Sequence, residues 1–158
     1  MKKEIMLISK SPMTRSMENL KDVKYIILHQ AKNIKYNAYK EREYIDGLKN
    51  QDEIYYSVHY IIDLNGDILN IVPENEVTWS TFKFDVDYNA ISIECCFENE
   101  DGSFNKETIK SLKKLIMLLC NKYNLKMKEN IFLHYDITGT RCPIFYVDNP
   151  FYFKEIIS

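Results

Sequence analysis

From Tyr55 to Pro73 the chain reads YYSVHYIIDLNGDILNIVP, two apolar runs joined through Asn65-Gly66. No other stretch limits the fold so tightly. An Asn-Gly pair supplies the positive φ values of a tight turn, so the two runs fold back as an antiparallel hairpin. Along the first run Val58, Tyr60 and Ile62 share one face, and Ser57, His59 and Ile61 share the other.

The rest of the chain alternates strand and helix patterns. KYIILH, residues 24–29, is a β-branched run that ends in His29 and predicts a buried strand. Residues 37–48 carry helical spacing at Tyr44, Ile45 and Leu48 behind a candidate cap, Asn37. NAISIECCF, residues 89–97, predicts a strand with Ile91, Ile93, Cys95 and Phe97 on one face. Ser92, Glu94 and Cys96 lie on the other, which puts a carboxylate among small residues. The strongest helix spans 106–123, where Leu112, Leu115, Ile116, Leu119, Cys120 and Tyr123 recur at i, i+3, i+4 after Asn105. A strand over 131–134, a loop bearing His134 and Cys142, and a terminal helix near 150–157 follow. Helices between strands, with one obligatory hairpin, imply an α/β fold: a single layered domain over 1–158 with a central mixed sheet flanked by helices.

At 158 residues such a domain buries a core without disulfide staples. Gly and Pro, at 4 each, are too scarce for a disordered chain. A net charge of −2 and the lack of a Lys/Arg block give no drive toward nucleic acid or an anionic membrane surface. Cys95, Cys96, Cys120 and Cys142 suggest no disulfide framework and point to synthesis in a reducing compartment. The apolar run Ile5–Ile8 is too short for a signal peptide, and no run has the length of a membrane span.

Two of the three histidines, His29 and His134, end predicted strands. Ligands of open α/β sheets gather at the carboxyl ends of strands. If these two strands are parallel neighbours, both imidazoles reach the same rim, and a loop brings Cys142 back to it from eight residues on. Two imidazoles and a thiolate suit Zn²⁺, and three protein ligands leave a fourth position open, the pattern of catalytic rather than structural sites. Spacing alone leaves a second reading open, in which these are polar residues at a sheet rim.

YIILHQAKN, SVHYIIDLNGDILNIVPENEVTWS, NAISIECCF and LHYDITGTRCP occur in the order and at the distances seen in type-2 N-acetylmuramoyl-L-alanine amidases. This zinc amidase family includes phage endolysin catalytic domains and is related to peptidoglycan recognition proteins. The resemblance runs from about Val23 to the C-terminal helix. It implies a peptidoglycan-recognition fold and zinc-dependent hydrolysis of the amide between N-acetylmuramic acid and L-alanine. By position it makes His29, His134 and Cys142 the metal ligands, Glu94 the catalytic carboxylate, and Thr140 a neighbour of the scissile carbonyl. It also puts Trp79, Ser80 and Arg141 in the substrate groove, although Trp79 reads equally well as a core aromatic. Asp136 either orients a ligand or forms a turn, and His59 is a hydrogen-bonded residue rather than a ligand.

The chain departs from the family at three places. Ser80 stands where relatives usually have a histidine, Thr140 leaves no basic residue where relatives have a lysine or a threonine, and Ile144 stands where many have a glycine. The expected partner is peptidoglycan or a muropeptide. Without a signal peptide the enzyme acts on the wall after release, as a phage or prophage lysin does, or inside the cell on recycled muropeptides. A non-hydrolytic muropeptide-binding module of the same fold is the rival reading. A thiol-redox protein is a third, weakened because no CxxC occurs.

Overall fold

A computed structural model describes residues 1–158. Its strands are β1 (Lys3–Ile5), β2 (Tyr25–Gln30), β3 (Tyr60–Ile62), β4 (Ile68–Asn70), β5 (Ala90–Cys95) and β6 (Ile131–Leu133). Its helices are α1 (Ala38–Gly47), α2 (Phe84–Asp87), α3 (Lys106–Tyr123), α4 (Met127–Asn130), α5 (His134–Thr138), α6 (Ile144–Asp148) and α7 (Pro150–Ile156). The strands form one mixed sheet in the order β1-β4-β3-β5-β2-β6. Only β3 and β4 pair antiparallel; the other neighbours are parallel.

The hairpin forms, but differently from the expectation. Only Gly66 has a positive φ, +85°, and Asn65 does not. The Gly66 N–H donates to the Asp63 carbonyl at 3.0 Å, and the Asp63 N–H donates to the Asp67 carbonyl at 2.8 Å. That is a β-turn followed by one left-handed residue, the longer of the common hairpin connections. A side chain at position 66 would also collide with α3, because its Cβ would lie 2.8 Å from Ser111 Oγ.

Two helices carry the predicted caps: Asn37 Oδ1 accepts from the Lys40 N–H, and Asn105 Oδ1 from the Thr108 N–H. Helix α3 buries Leu112, Leu115, Ile116, Leu119 and Cys120. Each large aliphatic side chain so buried contributes about 1.5–3 kcal/mol. Strand β5 is buried along its whole length, as expected of a central strand covered on both faces. No helix is long and apolar enough to cross a membrane.

One expectation needs correction. His134 does not begin a loop; it opens α5. The Asp136 carboxylate accepts the Leu133 N–H at 2.8 Å, and Gly139 at φ +78° ends the helix. These bonds fold the polar stretch after β6 into one helical turn before the chain loops back. Asp136 therefore acts as a cap, the turn-forming alternative.

Candidate metal centre and active site

Strand register explains why the site forms. His29 of β2 stands opposite Glu94 of β5, and Glu94 opposite Ile61 of β3. Partners in register on parallel strands point to the same face, so the imidazole and the carboxyl lie side by side. Leu28 pairs with Leu133, which brings His134, one residue on, alongside His29. The two rings are 4.7 Å apart.

Cys142 is returned to this edge by bonds to Gln30, the last residue of β2. The Gln30 N–H donates to Cys142 Sγ at 3.4 Å, and Gln30 Oε1 accepts the Ile144 N–H at 2.6 Å. The Tyr135 N–H donates to the Cys142 carbonyl at 3.0 Å. Turn and strand thus grip the loop on both sides of the thiol.

The ligand atoms of His29, His134 and Cys142 lie within 4.8 Å of one another, and all three residues are buried. Both nitrogens of His29, Nδ1 of His134 and Oε1 of Glu94 are buried without a hydrogen-bond partner. Orphaned buried polar atoms are rare because each costs about 1–3 kcal/mol. Converging on one point with a thiol, these nitrogens fit a borderline-soft divalent cation. Burial lowers His29 well below its usual range, with His134 and Lys32 adding to the effect. Burial also lowers His134 to about 4 and raises Cys142 to about 11. The imidazoles are therefore neutral, which ligation requires, while the thiol must lose its proton as a cation binds.

Glu94 is fully buried. Burial pushes its carboxyl up to about 8, and the neighbouring Glu41 carboxylate adds to the rise. The Tyr56 hydroxyl donates to Glu94 Oε2, leaving Oε1 as the free end. Glu41, on α1, is itself buried. It accepts the Lys32 N–H at 2.5 Å and an Asn33 Nδ2–H at 3.2 Å.

Tyr56 and Glu41 escaped the sequence reading. Glu41 left a signal, because it occupies the α1 stripe of Ala38 and Ile45, where an apolar residue is expected. Tyr56 left none, since its partner is 38 residues away.

The remaining candidates differ in exposure. Thr140 and Arg141 are exposed, and Arg141 pairs with Asp148 at 2.6 Å. Trp79 is 8% exposed; its indole N–H donates to the Pro12 carbonyl at 3.0 Å, and its ring packs against Phe84 and Tyr88. Ser80 is buried, and its hydroxyl has no partner. His59 is bonded on both ring nitrogens, to the Glu76 carbonyl at 2.8 Å and at Ser92, and holds the sheet rather than the site. All four cysteines are free thiols, and Cys95 and Cys96 are packed in the core.

Known proteins resemble the chain in sequence and in fold. A family model described as N-acetylmuramoyl-L-alanine amidase matches residues 19–144. Over 131 residues, 77% of its length, the chain is 32% identical to a probable N-acetylmuramoyl-L-alanine amidase of Bacillus licheniformis, covering 36% of that protein. Over 154 residues, 86% of its length, it is 29% identical to the N-acetylmuramoyl-L-alanine amidase BlyA of Bacillus subtilis (strain 168), covering 40%. The chain thus spans two-fifths or less of the length of these curated relatives. Among solved structures, the catalytic domain of XlyA superposes with a TM-score of 0.81 over 100% of both chains at 23% identity. A mutant endolysin from Bacillus subtilis does so with 0.80 over 99% and 98% at 27% identity. Matched by that family model over most of its length, the chain belongs to the type-2 N-acetylmuramoyl-L-alanine amidase family.

Proposed function

We propose that this chain, as one catalytic domain, hydrolyses the amide between the lactyl group of N-acetylmuramic acid and L-alanine in peptidoglycan. His29, His134 and Cys142 would hold a zinc ion. One observation carries the reading: unpartnered nitrogens of two imidazoles and a thiol converge beside a buried carboxyl with one free oxygen. A bound divalent cation supplies Lewis-acid polarisation of the carbonyl and makes water acidic near neutral pH.

The protein's own groups supply the proton chemistry. Glu94 Oε1 takes the proton of the attacking water and delivers it to the departing alanine nitrogen. Tyr56, by holding Oε2, fixes which oxygen is free for this. The raised proton affinity of Glu94, caused by burial and Glu41, favours holding the proton between the two steps, while the charge of a bound cation pulls the other way. Thr140, two residues before Cys142, would donate a hydrogen bond to the carbonyl oxygen, and Trp79, Ser80 and Arg141 remain candidates for substrate contact. A complete set of acid–base and ligand residues favours hydrolysis over binding alone. We place the activity at the cell wall.

The test is the chemistry of a wall digest. Amidase action exposes new α-amino groups on L-alanine and leaves glycan chains whole. New reducing sugars without free alanine amines would refute the proposal.

A further inference from the structure

Thr140 carries no charge, and the neighbouring Arg141 pairs with Asp148. The site nevertheless has a cation. Lys32 lies three residues past His29, and its Nζ sits over the Tyr56 ring, 4.3 Å from the centroid. The same ring lies 6.0 Å from that of His29, and its hydroxyl is on Glu94. The Lys32 ammonium forms no salt bridge. Its backbone is pinned, because the buried Glu41 carboxylate accepts the Lys32 N–H at 2.5 Å. Through that ring the ammonium stands beside both His29 and Glu94.

We propose that Lys32 is a catalytic residue, its ammonium contacting the scissile carbonyl oxygen and stabilising the negative charge that develops there. This rests on the amidase reading above. As water oxygen bonds to the carbonyl carbon, the π pair moves onto the carbonyl oxygen, and a water proton goes to Glu94. The pair then returns, the C–N bond breaks, and the nitrogen takes the proton from Glu94. Lys32 keeps its proton throughout and acts only by charge and hydrogen bonding at the oxygen. An unpaired ammonium resting on an aromatic face gives up little when it turns to that oxygen, since an exposed cation–π contact is worth about 0.5–1 kcal/mol.

The test compares zinc-loaded wild type with Lys32→Met and Lys32→Arg on a defined muropeptide. Zinc content, thermal stability, kcat, KM and affinity for a phosphinate isostere of the scissile amide are measured together. Loss of one such donor typically lowers kcat by about 10²–10³-fold. Lys32→Met should show that loss with KM and zinc near wild type. Its affinity for the phosphinate should fall by a comparable factor, and Lys32→Arg should recover part of both. A Lys32→Met kcat within about threefold of wild type, or a change confined to KM, overturns the assignment and leaves the amidase reading intact. A wild-type enzyme that fails to cleave the amide overturns both.

Discussion

Glu94→Gln separates the carboxylate's catalytic role from its structural cost. An ordinary Glu titrates near 4.5, and buried Glu94 is raised to about 8. At pH 7 the folded protein therefore holds a proton that the unfolded chain has released. A raised folded-state value gives stability that is whole below 4.5 and is lost as pH climbs through about 8. At about 1.36 kcal/mol per unit, the loss by pH 7 is roughly 3 kcal/mol. Glutamine copies the protonated form: it is uncharged and keeps an oxygen that accepts from Tyr56. In chelator-treated protein, urea denaturation should show Glu94→Gln more stable than wild type by roughly 3 kcal/mol at pH 7 and about 1 kcal/mol at pH 5. Zinc-loaded Glu94→Gln should keep its metal while turnover falls by about 10²–10⁴-fold. A variant less stable than wild type, or a stability gap that ignores pH, would refute the electrostatic account. Near-wild-type turnover would refute the catalytic one.

Three further substitutions probe other parts of the site and scaffold. Cys142→Ala leaves two imidazoles and should lose most bound zinc by elemental analysis; full occupancy would remove Cys142 from the ligand set. Tyr56→Phe strips the donor from a buried carboxyl, so stability should drop by about 1–3 kcal/mol in urea melts and kcat should fall while zinc is retained. Asp87, which accepts the Thr81 and Phe82 N–H groups, is raised by burial from 3.8 to about 6. Its stabilising effect is therefore whole below 3.8 and fades through about 6, so the wild-type advantage over Asp87→Asn should be about 2–3 kcal/mol larger at pH 4 than at pH 7. Equal gaps at the two pH values would contradict that assignment.

Much of the scaffold is visible in local patterns. The stripe of α3 and the Asn37 and Asn105 caps are short-range features, and the structure reproduces them within a residue or two. The mixed sheet follows from one hairpin among alternating elements. His29 and Glu94 are legible as strand residues, but their pairing is set by the β2–β5 register, which lies in no single segment. The α5 turn was missed because a cap of strand β6 by Asp136 looks, in sequence, like loop polarity. Tyr56, Glu41 and Lys32 join the site from a loop, a helix and a strand end, contacts that sequence spacing does not encode. Edge strand β1 is too short to show a period, yet it pairs with β4 in register from Lys3 to Ile5.

Mass spectrometry of a defined muropeptide tests the central claim, metal-dependent cleavage at the lactyl–alanine amide. The enzyme is assayed as purified, after chelation, and after zinc is restored. The account predicts an intact glycan bearing a free lactyl carboxylate and a peptide with a free N-terminal alanine, lost on chelation and regained with zinc. Cleavage within the glycan, or amide cleavage that survives complete removal of metal, would contradict it.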